Sequence, residues 1–150
     1  MSLRINDEAP DFTAITTEGN IQFHDWIGTS WVVLFSHPKD FTPVCTTELG
    51  AVAGLKPEFD KRNCKIIGIS VDGVENHEKW SQDIESSQGH ALNYPLIGDP
   101  QLNSVKAYDM LPADAGDSEL IICIAGAMMS RCATREEMMT SFFISQSAPF

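Results

Sequence analysis

The chain has 150 residues, of which 43% are hydrophobic, and a formal net charge of -11. This length can bury the core of one domain and is short for two. The acidic excess, with no cluster of Lys and Arg, argues against nucleic acid and anionic membrane surfaces as partners.

The cysteines and the N-terminal segment bear on the cellular compartment. No stretch approaches the roughly 20 apolar residues of a membrane span, and the first residues lack the apolar run of a signal peptide. The wide spacing of the cysteines fits neither a secreted disulfide scaffold nor paired CxxC zinc ligands. We therefore expect reduced thiols and a cytoplasmic location. The four cysteines are Cys45, Cys64, Cys123 and Cys132.

The first half of the chain predicts a hairpin and a strand-helix-strand unit. Turn-forming residues 18–20 separate two short apolar runs, which favours a hairpin at a sheet edge. The apolar runs 31–35 and 65–71 are typical of strands buried on both faces. The helical pattern at 46–61 lies between them, so the two strands should be parallel.

The second half begins with the same alternation. A helix is expected at 76–87 and a short strand at 94–97, followed by a helix with Asp99 as cap and Pro100 in its first position. Residues 119–124 could form one more strand, and 135–139 a weak helix. The alternation of strands and helices predicts an α/β fold.

Cys45 is the residue that carries chemistry. It follows a buried strand where a helix begins, so unpaired N–H groups and the helix dipole favour the thiolate, which is the nucleophilic form. The hydroxyl of Thr42 can turn toward the sulfur, and Pro38 and Pro43 restrict the loop. The alternative interpretation is that Cys45 is a small buried apolar residue.

The segment His37-Pro-Lys-Asp-Phe-Thr-Pro-Val-Cys-Thr-Thr-Glu48 resembles the active-site signature of the peroxiredoxins, in the form of the one-cysteine branch related to peroxiredoxin 6. Further similar segments extend the resemblance over roughly residues 3 to 117. They are Ala9–Phe12, Phe23–Trp26, Ile69–Asp72, His77–Ser81 and Tyr108–Pro112.

The resemblance implies a thioredoxin-like α/β fold, with a central mixed sheet flanked by helices, that reduces hydrogen peroxide and organic hydroperoxides. Cys45 would be the peroxidatic cysteine, passing through a sulfenic acid, with Thr42 and Pro38 as its catalytic partners. His37 abuts Pro38 and is a candidate to line the peroxide pocket. The resemblance implies no metal and no organic cofactor.

The resemblance ends after Ser118, where the family's arginine-bearing strand is not recognisable. We therefore divide the chain into a thioredoxin-like domain at 1–118 and a divergent C-terminal tail of that domain at 119–150. Arg131 lies at about the right distance along the chain to replace the family arginine as a peroxide-binding residue.

The reductant follows from the remaining cysteines, because none has the context of a family resolving cysteine. Cys64 precedes a strand and is read as a packing residue, as is Cys123, while Cys132 is unassigned. A one-cysteine cycle with an external thiol, glutathione or a thioredoxin-like protein, is the leading expectation. The family also implies a homodimer.

Two other functions remain open from the sequence. The altered tail favours a non-catalytic redox sensor or chaperone-like variant. His24 and Ser30 lie in a region that resembles the one used for phospholipase A2 activity by some peroxiredoxin 6 proteins. That hydrolase hypothesis lacks a G-x-S-x-G nucleophile elbow.

Overall fold

The structure, a computed structural model, describes residues 8–37, residues 39–108 and the strand at 128–130. Its strands are β1 (Thr13–Thr16), β2 (Gly19–Gln22), β3 (Trp31–Ser36), β4 (Cys64–Ser70), β5 (Leu96–Gly98) and β6 (Met128–Ser130). Its helices are α1 (Phe23–Ile27), α2 (Pro43–Lys61), α3 (Val74–Gln88) and α4 (Asn103–Ala107). Within the described residues, every helix is too short or too polar to cross a bilayer.

The described strands form one mixed sheet in the order β2-β1-β5-β4-β3-β6. β4 lies parallel to β3, as the strand-helix-strand prediction required, and it also lies parallel to β5. β1 and β2 form the expected hairpin at one edge, and β6 pairs antiparallel with β3 at the other.

Side chains alternate between the two faces of the central strand β4, because successive residues of a strand point to opposite sides. Ile67 and Ile69 pack into a cluster with residues of α1 and α4. Ile66 packs into a second cluster with Trp80 of α3 and Leu49 of α2. Helices therefore cover both faces of the sheet, and the mixed α/β architecture is confirmed.

Several predicted boundaries were wrong by a few residues. α2 begins at Pro43, three residues before the predicted start, because proline has no N–H to satisfy and fits the first turn. β5 covers 96–98, whereas the prediction was 94–97. The predicted strand at 119–124 and helix at 135–139 lie outside the described residues.

The helix predicted to begin at Pro100 instead begins at Asn103. A turn over 99–102 precedes it, with Leu102 in the left-handed region at φ 60°. Asp99 still caps the helix, since its carboxylate accepts the backbone N–H groups of Asn103, Ser104 and Val105 at 2.9–3.1 Å. The capping residue was correct, but the side chain reaches across the turn to the first helical turn.

Candidate active site

Cys45 is the third residue of α2, in the first turn of the helix. That turn leaves backbone N–H groups without intrahelical acceptors and carries the positive end of the helix dipole. Cys45 is 4% exposed and packs in the cluster of Leu49 and Trp80. Phe41 and Val44, beside it in the sequence, are exposed. The sulfur therefore belongs to a residue that lies just beneath the surface of this loop.

Thr42 occupies the N-cap position of α2, in an extended conformation. Its hydroxyl donates to the carbonyl of Lys39 at 3.1 Å, and its lone pairs can still accept. The sequence prediction had this hydroxyl turned toward Cys45. In the structure its proton is used within the loop.

A chain of hydrogen bonds holds the first turn of α2 against α3. The indole N–H of Trp80 donates to Oγ1 of Thr46 at 2.9 Å, and this hydroxyl donates to the carbonyl of Thr42 at 2.8 Å. The same carbonyl accepts the backbone N–H of Thr46 at 2.9 Å. The buried indole thus fixes the turn that carries Cys45.

His37 belongs to a buried network that the sequence analysis missed. Nε2 of His37 lies 2.9 Å from Oδ1 of Asp40, and Nδ1 of His77 lies 2.6 Å from Oδ2 of the same carboxylate. The backbone N–H of Asp40 donates to Asp72 at 2.7 Å. His37 follows β3 and Asp72 follows β4, and the carboxyl ends of adjacent parallel strands meet at one edge of a sheet. From this rule, the sequence could have indicated that the residues after β3 and after β4 lie close together.

The pKa of the Asp40 carboxyl results from opposing effects. Burial alone would raise this pKa, but the hydrogen bonds from His37 and His77 outweigh burial and lower the pKa below its usual value. Asp40 is therefore a carboxylate at neutral pH.

His37, Asp40 and His77 also have ligand atoms within 4.8 Å of one another, a spacing that a metal site could share. Bonds of 2.0–2.1 Å in a tetrahedral site place ligand atoms about 3.3 Å apart. The separations of 2.6 and 2.9 Å here are shorter and match hydrogen bonds. Protons rather than a metal ion hold this arrangement together.

His24 and Ser30, the pair considered for lipid hydrolysis, hydrogen bond to different partners. His24 Nε2 donates to the carbonyl of Ala9 at 2.8 Å, and the Ser30 hydroxyl donates to Asn63 at 2.9 Å. Among the described contacts, no hydrogen bond joins them into a nucleophile and base pair.

The remaining predicted site residues divide into two groups. Cys64 opens β4 and is buried. Its partner in the register is Trp31, the first residue of β3. Cys64 therefore lies at the amino ends of the parallel strands, whereas Cys45 follows the carboxyl end of β3. Pro38, Arg131, Cys123 and Cys132 lie outside the described residues.

Comparison with known proteins shows which family the chain belongs to. A family model for the AhpC/TSA family matches residues 5–145. The mitochondrial peroxiredoxin PRX1 of Saccharomyces cerevisiae is 59% identical over 113 residues, which cover 75% of this chain and 43% of that protein. Peroxiredoxin-6 of Gallus gallus is 50% identical over 121 residues, covering 78% of this chain and 54% of that protein.

Solved structures show the same relationship. The yeast mitochondrial 1-Cys peroxiredoxin superposes with a TM-score of 0.77 at 41% identity, covering 97% of this chain and 76% of that one. A cysteine-to-serine mutant of peroxiredoxin 6 from Arenicola marina gives a TM-score of 0.66 at 45% identity, covering 72% of this chain and 50% of that one.

The fold is thus thioredoxin-like α/β, with its reactive cysteine candidate at the start of a helix. The chain belongs to the AhpC/TSA family of peroxiredoxins, and its relatives are of the 1-Cys and peroxiredoxin-6 kind. It spans about half the length of the curated relatives that it matches.

The expected cytoplasmic location is wrong as stated. The relative at 59% identity is a mitochondrial protein, which points away from a purely cytoplasmic compartment. The physical reason is that net charge and the lack of a long apolar run describe the folded domain. Organelle addresses are read by receptors or import machinery, so the composition of a folded domain does not determine them.

Proposed function

We propose that the chain is a thiol-dependent peroxidase that reduces hydrogen peroxide and organic hydroperoxides. The observation that carries the proposal is the position of Cys45 in the first turn of α2, in a chain that the AhpC/TSA family model matches over 5–145. The N–H groups and dipole of that turn favour the thiolate and the negative charge that develops on the peroxide oxygens.

The reaction begins when the Cys45 thiolate attacks one peroxide oxygen. The S–O bond forms as the O–O bond breaks, and the departing oxygen takes up a proton to give water or an alcohol. Cys45 is thereby oxidised by two electrons to a sulfenic acid, and the peroxide is reduced by two electrons. Thr42, Pro38 and His37 are proposed to line the peroxide site, and no cofactor is invoked.

The proposed reductant is an external thiol. β4 rises by about 3.3 Å per residue, so Cys64 at its first residue lies roughly 20 Å along the strand from the edge near Cys45. A disulfide requires Cα atoms within about 7 Å, so Cys64 is not positioned to resolve the sulfenic acid. One thiol would form a mixed disulfide and release water, and a second would restore Cys45.

Glutathione and a thioredoxin-like protein are the proposed reductants. The yeast 1-Cys relative is described as resolved through glutathione/thioredoxin systems, which supports this choice. A homodimer stays a prediction.

Arg131 receives no support from the strand register. β6 ends at Ser130, which pairs with Val32 near the start of β3, whereas Cys45 follows the end of β3. Arg131 comes directly after Ser130 in the sequence.

The division of the chain at residue 118 also stays a proposal, and the pairing of β6 with β3 supports placing 119–150 in the same domain.

The decisive experiment compares Cys45→Ser with Cys64→Ala as the matched control. Wild type and Cys64→Ala should consume peroxide in stopped-flow measurements and gain one oxygen on Cys45 by mass spectrometry. Cys45→Ser should lose this reaction, because a serine hydroxyl is a far weaker nucleophile toward peroxide. Unchanged peroxide consumption in Cys45→Ser would refute the proposal.

A second candidate function is redox sensing without turnover, and the burial of Cys45 favours it, since a covered sulfur meets peroxide slowly. A slow, single oxidation that thiols do not reverse, together with oxidation-dependent assembly, would identify it. Fast turnover with glutathione would exclude it.

A further inference from the structure

His37, Asp40 and His77 form a buried network that extends beyond the lining role proposed for His37 alone. Asp40 accepts one hydrogen bond on each carboxylate oxygen, from His37 at 2.9 Å and from His77 at 2.6 Å. Both histidines and Asp40 are at least nine-tenths buried. The hydrogen-bonding atoms of these three side chains must therefore satisfy one another, because burial keeps water from supplying donors or acceptors.

His77 has two acceptors, one on each ring nitrogen. Nδ1 faces Oδ2 of Asp40, and Nε2 lies 3.1 Å from the carbonyl oxygen of Ile97, which can only accept. An ionised carboxylate can also only accept. With Asp40 ionised, both partners of His77 can only accept, so this geometry assigns a proton to each of its ring nitrogens.

His37 has one acceptor only. Nε2 of His37 faces Oδ1 of Asp40 and donates to it, while Nδ1 has no hydrogen-bond partner among the described residues although it is fully buried. A hydrogen bond made by one imidazole nitrogen sets the protonation of the other. With the proton held on Nε2, Nδ1 is left as a bare acceptor.

The ring of His37 is linked to the proposed peroxidase site through Trp80. The His37 ring centroid is 5.2 Å from that of Trp80, which packs in the same cluster as Cys45 and donates to Thr46 in the next position of α2. Other ionisable side chains that approach the network are limited, among the described contacts, to Asp72, which accepts the backbone N–H of Asp40.

We propose that Asp40 and His77 form a positioning pair, which holds the proton of His37 on Nε2 and keeps Nδ1 of His37 as an unprotonated acceptor, on a ring that Trp80 links to the Cys45 site. The expected effect of this pair on the rate of Cys45 oxidation rests on the proposed peroxidase function. The protonation pattern itself does not.

The first test reads the protonation pattern directly in the wild-type chain. Two-bond ¹H–¹⁵N correlation spectra at neutral pH should show His37 neutral with its proton on Nε2 and His77 protonated on both nitrogens. Signals are assigned with His37→Gln and His77→Gln, and the exposed His90 serves as internal control. A proton on Nδ1 of neutral His37, or a neutral His77, would overturn the proposal. This test uses the wild-type chain, so it does not depend on whether a variant at Asp40 folds.

The second test asks whether Asp40 acts through His37. Asp40→Asn should lower the second-order rate constant for Cys45 oxidation by on the order of tenfold, and by less than about twofold in a His37→Gln background. An equal loss in both backgrounds would show that Asp40 does not act through His37. If wild type shows no Cys45-dependent reaction, the peroxidase proposal fails, while the spectra still decide the positioning pair.

Discussion

Asp40 links folding stability to pH, because its two histidine partners favour the carboxylate. Its pKa is lowered in the folded chain relative to an unfolded value of about 3.9. A lowered folded pKa gives stability that is present above the unfolded value and is lost as pH falls toward the folded value. The carboxylate therefore stabilises the fold at neutral pH and ceases to do so in acid.

Asp40→Asn should lower the free energy of unfolding at pH 7 and flatten its decline below pH ~4. The cause is the loss of the charged acceptor for two buried histidines. Urea unfolding at a series of pH values measures both effects. The control is Asp83→Asn, since Asp83 is exposed on α3 and should leave the acid profile of wild type. An Asp40→Asn profile parallel to wild type would contradict the prediction.

At the scale of the element, α2 shows how one helix serves both packing and chemistry. Its first turn carries Cys45 and is tied to α3 by the bond from Trp80 to Thr46. Thr47, the next residue, makes a similar bond to the carbonyl of Pro43 at 3.2 Å, but it is exposed. The two threonines therefore form a natural pair for comparison.

Thr46→Val should reduce the free energy of unfolding by about 1–3 kcal/mol, because the buried indole N–H of Trp80 loses its acceptor. Thr47→Val should stay within roughly 0.5 kcal/mol of wild type, as a surface change. Denaturant unfolding followed by tryptophan fluorescence measures both variants. Equal effects at the two positions would show that the bond from Trp80 contributes nothing specific.

At the scale of the whole molecule, the central sheet and its covering helices leave little room around β4. A Cβ added at Gly68 would lie 2.6 Å from Cδ2 of Leu96 and 3.0 Å from Cζ of Phe35. Leu96 is fully buried, so it cannot swing into solvent. Glycine at this position allows β3, β4 and β5 to pack against the layer that contains Cys45.

Gly68→Ala should destabilise the chain by about 1–3 kcal/mol through overpacking of this layer. Gly73→Ala is the control, because a Cβ there meets nothing within 4 Å and the residue has φ -77°. It should be close to neutral, because the entropy that alanine removes from the unfolded chain offsets its weaker capping at this N-cap position. Calorimetry of both variants gives the comparison, and similar melting temperatures for the two would mean that the core yields at no cost.

The sequence by itself determined the α/β class, the order of the elements through residue 107 apart from the short helix α1, and the position of Cys45 at the start of a helix. These follow from local patterns: buried apolar runs, helical spacing and a long motif around one cysteine. It did not determine the start of α4, because an Asp99 side chain caps equally well from the adjacent position or from across a turn.

Only the tertiary structure decided that Asp40 and His77, 37 residues apart, share a hydrogen bond. No local pattern encodes this contact. Parallel strands bring together the residues that follow their carboxyl ends, and which of those side chains meet depends on register, twist and burial rather than on sequence spacing.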